Sequence, residues 1–153
     1  MNTLTSSLEF SHFPVMLSEI IQIASPEKGG LFIDCTFGGG SYSYALLKFP
    51  KTKVIGIDRD EAVISRANEL QKKYQKRFKF YQIKFSELDK ILNKNADTII
   101  FDLGLSSIQL KNLNRGFSFK SKNKLDMAMG LNNISAQEAI NNLSEKHLKL
   151  IIK

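Results

Sequence analysis

Two rhythms of apolar positions share this chain. One repeats every three to four residues and predicts helices; the other runs unbroken over a few residues and predicts buried strands. Val15, Leu17, Ile20, Ile21 and Ala24 form a helical stripe across 14–24, with Pro14 near its first turn. Pro26 to Gly30 interrupts the stripe, residues 31–37 read as a buried strand, and 43–47 as the start of a helix. A second strand is expected over 53–58. Asp60 then caps a helix reaching about Gln75, with Val63, Ala67, Leu70 and Tyr74 on one face. Residues 80–85 predict a third strand, 88–92 a short helix and 96–103 a fourth strand.

Strands alternating with helices at this spacing imply βαβ units and a parallel, doubly wound α/β sheet. Right-handed crossovers place every strand's carboxyl end on one edge, where open α/β sheets bind ligands. Asp34, Asp58, Phe85 and Asp102 stand at those predicted ends, so three acidic residues mark a candidate site. Past Leu103 the texture changes. Residues 105–130 are rich in Ser, Asn and Lys without a clean period, and Ser135 with Glu138 has capping-box spacing ahead of a helix. The pattern over 145–153 is helix-like with no stop signal. Four strands are about half of a doubly wound sheet, so a truncated chain is expected.

Charge adds one element to this picture. With 22 basic against 15 acidic residues in 153, the net charge is +7, which suits a polyanionic partner such as nucleic acid. The basic run Lys72, Lys73, Lys76, Arg77 and Lys79 reads by itself as a solvated helix end. Cys35 is the single cysteine, which excludes an internal disulfide and fits a reducing cytosol. The amino terminus lacks the pattern of a secretory signal, and no apolar run approaches the roughly 20 residues of a membrane span. His12 and His147 lack neighbours at metal-ligand spacing, so no metal is expected.

The sharpest local feature is DCTFGGGSYS, where a strand runs into Gly38, Gly39 and Gly40. A triphosphate loop needs a Gly-Lys-Ser/Thr ending, and here the glycines meet Ser41-Tyr42-Ser43. The dinucleotide fingerprint needs a third glycine where Ser43 stands. An acid at the strand end followed by Gly-x-Gly suits S-adenosylmethionine, which has no pyrophosphate; a tight turn without ligand is the alternative. Asp58, ending the next strand, is placed to accept from ribose hydroxyls, as it would for NAD as well. Asp102 in FDLGLSS lies where an acceptor would orient an exocyclic amine toward a methyl donor, or else forms a local turn.

These segments together resemble the bacterial 16S rRNA cytosine-N4 methyltransferases, the MraW or RsmH family. The resemblance rests on HFPVMLSE (12–19), DCTFGGGSYS (34–43), IGIDRD (55–60), FDLGLSSIQL (101–110), RGFSF (115–119) and LDMAMG (125–130), in the family's order. It implies a Rossmann-like class I methyltransferase sheet, here incomplete, over residues 1–110, and the start of a helical substrate-recognition insertion over 111–153. It also implies S-adenosylmethionine as cofactor and methylation of a decoding-region cytosine of 16S rRNA in the small ribosomal subunit. By motif, the cofactor contacts would be Gly40, Ser41, Tyr42, Asp58, Phe85, Asp102 and Gln109, with Asp102 also catalytic. Arg115, Phe117 and Phe119 would lead into the insertion, where contact with RNA or the cytosine is the expectation. Ser41 stands where the family has glycine, and Ala128 where it commonly has arginine; family members are about twice as long. Those departures leave an alternative open: a catalytically inactive RNA-binding remnant.

Overall fold

A computed structural model describes residues 14–92, 95–131 and 134–152. Strands β1 (Gly30–Asp34), β2 (Thr52–Asp58), β3 (Phe78–Gln82) and β4 (Thr98–Ile100) form one parallel sheet in the order β3-β2-β1-β4. Helices α1 (Leu17–Ala24), α2 (Ser41–Leu47) and α3 (Ile64–Tyr74) accompany them, followed by α4 (Ser107–Lys111), α5 (Ala136–Asn142) and α6 (Glu145–Ile152). No described helix is long and apolar enough to cross a membrane.

Alternation along the strands sends side chains to two cores. Phe32, Val54, Phe78 and Ile100 point to one face and meet Leu46 and Leu47 of α2 and Ala67 and Leu70 of α3. Leu31, Ile33 and Ile57 point to the other face with Cys35. The stripe on α1 packs through Leu17, Ile20, Ile21 and Ala24 against the first core, while Val15 is exposed. Apolar burial on both faces is what a parallel sheet requires, and it explains the unbroken hydrophobic runs.

Strand ends differ from the sequence reading in ways that matter for the site. β1 stops at Asp34 and not Phe37, because the chain changes partners there. Cys35 N–H donates to Ile100 of the β4 side, whereas Phe37 N–H donates to Ile57 on the β2 side. β3 ends at Gln82, level with Asp58 at the end of β2, so Phe85 falls beyond the sheet. Phe85 begins a 3-10 segment (Phe85–Lys90) where a short helix was expected over 88–92. β4 is only three residues long.

Two capping boxes organise the later segment. Ser135 and Glu138 cap α5, as their spacing predicts. Ser106 and Gln109 cap α4, a helix the periodicity did not predict although its Ser-x-x-Gln signal is in the sequence. Residues 124–130 have no regular structure but are pinned: Met127 N–H donates to Arg115, and the amides of Ala136 and Gln137 donate to Asp126 and Leu125.

Candidate active site

The glycine turn opens a cavity of about 590 Å³ at the carboxyl edge of the sheet. Gly38 takes a positive φ of 48°, and a Cβ on Gly38 would meet only Ser106 Cβ and Thr36 O, both at 3.7 Å, and one on Gly39 nothing within 4 Å. Bare backbone therefore faces the cavity, as the close approach of a ligand requires. Gly40 works differently from its expected contact role. It is the left-handed cap of α2, and a Cβ there would lie 2.7 Å from the Phe37 ring, so it shapes the turn and does not line the cavity. Ser41 does line it, as the first residue of α2. It is absent from the positive-φ residues, which removes the crowding that serine in the glycine place would cause under positive φ.

Asp58 fastens this turn to β2. Its Oδ2 accepts from Gly38 N–H at 2.8 Å and its Oδ1 from Asp60 N–H at 2.9 Å. Each oxygen keeps acceptor capacity for the cavity that it lines. Burial raises the Asp58 pKa above the usual carboxylate value, against the pull of those backbone donors.

Asp34, grouped with Asp58 and Asp102 by the sequence, is not a ligand group. It is wholly buried, off the cavity, and its Oδ2 accepts from Ser43 Oγ at 2.7 Å. The serine that breaks the dinucleotide fingerprint thus has a role of its own, joining α2 to β1. Burial lifts the Asp34 pKa from 3.8 to about 6, outweighing the Ser43 bond. The folded carboxyl binds its proton more tightly than the unfolded one, so this group's contribution falls as pH rises from about 4 to 6, then stays level. Asp34→Asn keeps an acceptor without the charge. It is expected to raise stability at pH 7.5 by about 1–3 kcal/mol, with the gain shrinking toward pH 4, as measured by urea unfolding at both pH values.

Asp102 lies two residues past β4 at the cavity mouth and is exposed. Thr36 holds it from behind, Oγ1 accepting from Asp102 N–H at 2.8 Å. The single Tyr42 hydroxyl proton serves two acceptors, the main-chain oxygen of Val15 and Asp102 Oδ2 at 3.3 Å. Burial, and then the Asp102 charge, push Tyr42 up to about 12, so it stays a neutral donor. Across the cavity Phe85 is 45% exposed and meets Phe101 edge-on at 5.6 Å. Its ring therefore lies outside the core and is free on one side to meet a ligand.

Gln109 lines the cavity but is largely committed to the protein. Its Oε1 accepts from Ser106 N–H at 2.9 Å, and Nε2 donates to Asp60 Oδ2 at 2.8 Å. Asp60 is 1% exposed and also accepts from Ala62 N–H and from Arg115 Nη1 at 2.8 Å. Burial works against the Asp60 charge, yet the bonds from Gln109, Arg115 and Ala62 together hold its pKa below the usual range. Arg115 also donates through Nη2 to Ala128 O at 2.6 Å and lies 5.2 Å from the Phe117 ring centroid. Arg115 is therefore a brace inside the protein, its guanidinium shared between Asp60 and Ala128; Phe117 is buried, and only Phe119 of that trio is fully exposed.

This brace was not legible in the sequence, because it joins residues 55 apart. It draws 124–130 onto the sheet edge, where Met129 lines the cavity; a Cβ on Gly130 would lie 2.5 Å from Arg59 O. Of the sequence-predicted contacts, the cavity brings together Ser41, Tyr42, Asp58, Phe85, Asp102 and Gln109, and leaves out Gly40. It adds Thr36, Gly38, Gly39 and the 103–107 loop. His12 lies outside the described residues.

A parallel sheet with a glycine turn after β1, an acid ending β2 and another just past β4 is a Rossmann-like sheet of the class I methyltransferase kind. An rRNA methylase from Streptococcus thermophilus shares the fold, with a TM-score of 0.50 and 18% identity over 63% of this chain and 58% of that one. The model of the MraW methylase family matches residues 9–153, and the chain belongs to that family. Ribosomal RNA small subunit methyltransferase H of Rickettsia massiliae (strain Mtu5) is 44% identical over 143 residues, 93% of this chain and 47% of that protein. The like-named protein of Rickettsia canadensis (strain McKiel) is 42% identical over 146 residues, 95% and 47% of the two chains. The chain spans about half the length of these relatives.

Proposed function

We propose that this chain carries the S-adenosylmethionine-binding half of a cytosolic methyltransferase acting on 16S rRNA of the small ribosomal subunit. In this reading the acceptor is N4 of a cytosine in the decoding region. Residues 1–110 make the cofactor half, and 111–153 begin a helical segment that meets the RNA. The observation that carries the reading is the convergence of bare Gly38–Gly39 backbone, Asp58, Phe85 and Asp102 on one cavity, in a chain of the MraW family. About 590 Å³ is within the range of cofactor-sized pockets.

The residues present suit the group. Asp58 keeps acceptor capacity for two ribose hydroxyls, Phe85 offers an exposed aromatic surface to adenine, and Gly38, Gly39, Ser41 and Tyr42 edge the space left for the amino-acid end. When bound, S-adenosylmethionine supplies a methyl group already activated by its sulfonium. What the protein must add is orientation. Asp102, held by Thr36 and adjoining the Tyr42 hydroxyl, is the acceptor that fixes an exocyclic amine at the mouth.

Isothermal titration tests the cofactor assignment. Saturable binding of S-adenosylmethionine and none of NAD is expected; binding of NAD alone refutes it. Methyl transfer to undermethylated small subunits, mapped to the modified base, tests the substrate assignment.

A further inference from the structure

The positive charge of this chain is concentrated at the end of the sheet opposite the cavity. Residues 35–57 and 70–86 contain no acidic residue. Three lysines from Lys48 to Lys53 and five cations from Lys72 to Lys79 lie where α2 and α3 end and β2 and β3 begin. Without these eight, the rest of the chain holds 14 basic against 15 acidic residues, so this surface accounts for the entire net charge.

Three of these cations, Lys48, Lys73 and Arg77, are arranged around two tyrosines. Tyr44 of α2 and Tyr74 of α3 meet edge-on at 6.2 Å. Lys48 and Lys73 sit 5.1 and 5.0 Å from the Tyr44 ring centroid, and Lys73 and Arg77 sit 5.5 and 5.2 Å from that of Tyr74. Arg77 donates to the carbonyls of Leu47 and Phe49, locking the end of α3 to the end of α2. The nearest carboxylate before this run on α3, Glu69, pairs with Arg66 at 3.1 Å.

We infer that this amino-edge surface is a second contact for the substrate RNA, gripping its phosphate backbone away from the modified base. The inference rests on the proposed rRNA substrate. Cations over the tyrosine rings keep bases from stacking there, so the rings hold ammonium groups in place and the contact reads charge, not sequence. Seven residues of α2 rise about 10 Å between the cavity edge and this patch, so one RNA strand can touch both.

The test is salt-dependent binding of a fluorescent small-subunit rRNA transcript to the chain and to its Lys48→Gln/Lys73→Gln/Lys76→Gln variant. Arg77 is left intact because it also holds α2. The variant is expected to bind about 10- to 100-fold more weakly near 0.1 M salt, with the log–log salt slope reduced by about 2. Its melting temperature and S-adenosylmethionine affinity are expected to be unchanged. An unchanged slope and affinity would overturn the inference. So would a wild-type chain that binds phosphatidylserine vesicles and not the transcript. Cofactor calorimetry on the same samples reports on the carboxyl edge alone, so the cofactor reading and this one fail independently.

Discussion

Asp58→Ala is expected to weaken S-adenosylmethionine binding by about 100-fold or more while leaving the chain folded. Two hydrogen bonds from ribose hydroxyls to a carboxylate contribute about 1.5–3 kcal/mol each, and about 1.4 kcal/mol is tenfold in affinity. The same side chain holds Gly38 N–H at 2.8 Å, so its loss also frees the turn that faces the cofactor. Asp58→Asn keeps one carbonyl acceptor at nearly constant volume and is expected to fall between wild type and alanine. Because burial raises the Asp58 pKa, cofactor affinity should begin to fall at a higher pH than an exposed carboxylate would give. Calorimetry across pH, with melting curves as the folding control, measures both effects.

Arg115→Ala is expected to cost about 3 kcal/mol of stability, because it leaves the carboxylate of Asp60 buried without its cation. The change should also reach the cavity, since the same Asp60 orients Gln109 and the same Arg115 holds Ala128 beside Met129. Arg115→Lys keeps the charge but not the fork that spans Asp60 and Ala128, so only part of the stability should return. The hydrogen-bonded Asp60 has a lowered pKa, so its stabilisation is full above the ordinary carboxylate value and is lost as pH falls below it. Urea unfolding from pH 7 downward should show this loss in wild type and a smaller one in Arg115→Ala.

Much of this architecture is written locally in the sequence. Apolar runs set all four strands and the stripe on α3, and the glycine turn and Asp58 could be placed on one edge from topology alone. What stayed hidden depends on contacts across the chain. Asp34 and Asp58 look alike in the sequence as acids at strand ends, yet Ser43 claims one and the cavity the other. Gly40 and Gly38 are equally bare, but the Phe37 ring closes over only one of them. Arg115 gives no local sign that its partner is Asp60, 55 residues earlier in the chain. The charge run at 72–79 does lie largely exposed at the end of α3, but its approach to Tyr44 and Lys48 has no signal in the local sequence.

The cavity's identity is tested most directly by a crystal structure of this chain grown with S-adenosylmethionine. The predicted result is ligand at the carboxyl edge, with ribose hydroxyls on Asp58, adenine beside Phe85 and the methionine end along Gly38, Gly39, Ser41 and Tyr42. Ligand lodged elsewhere, or seated in the cavity without touching Asp58, would contradict it.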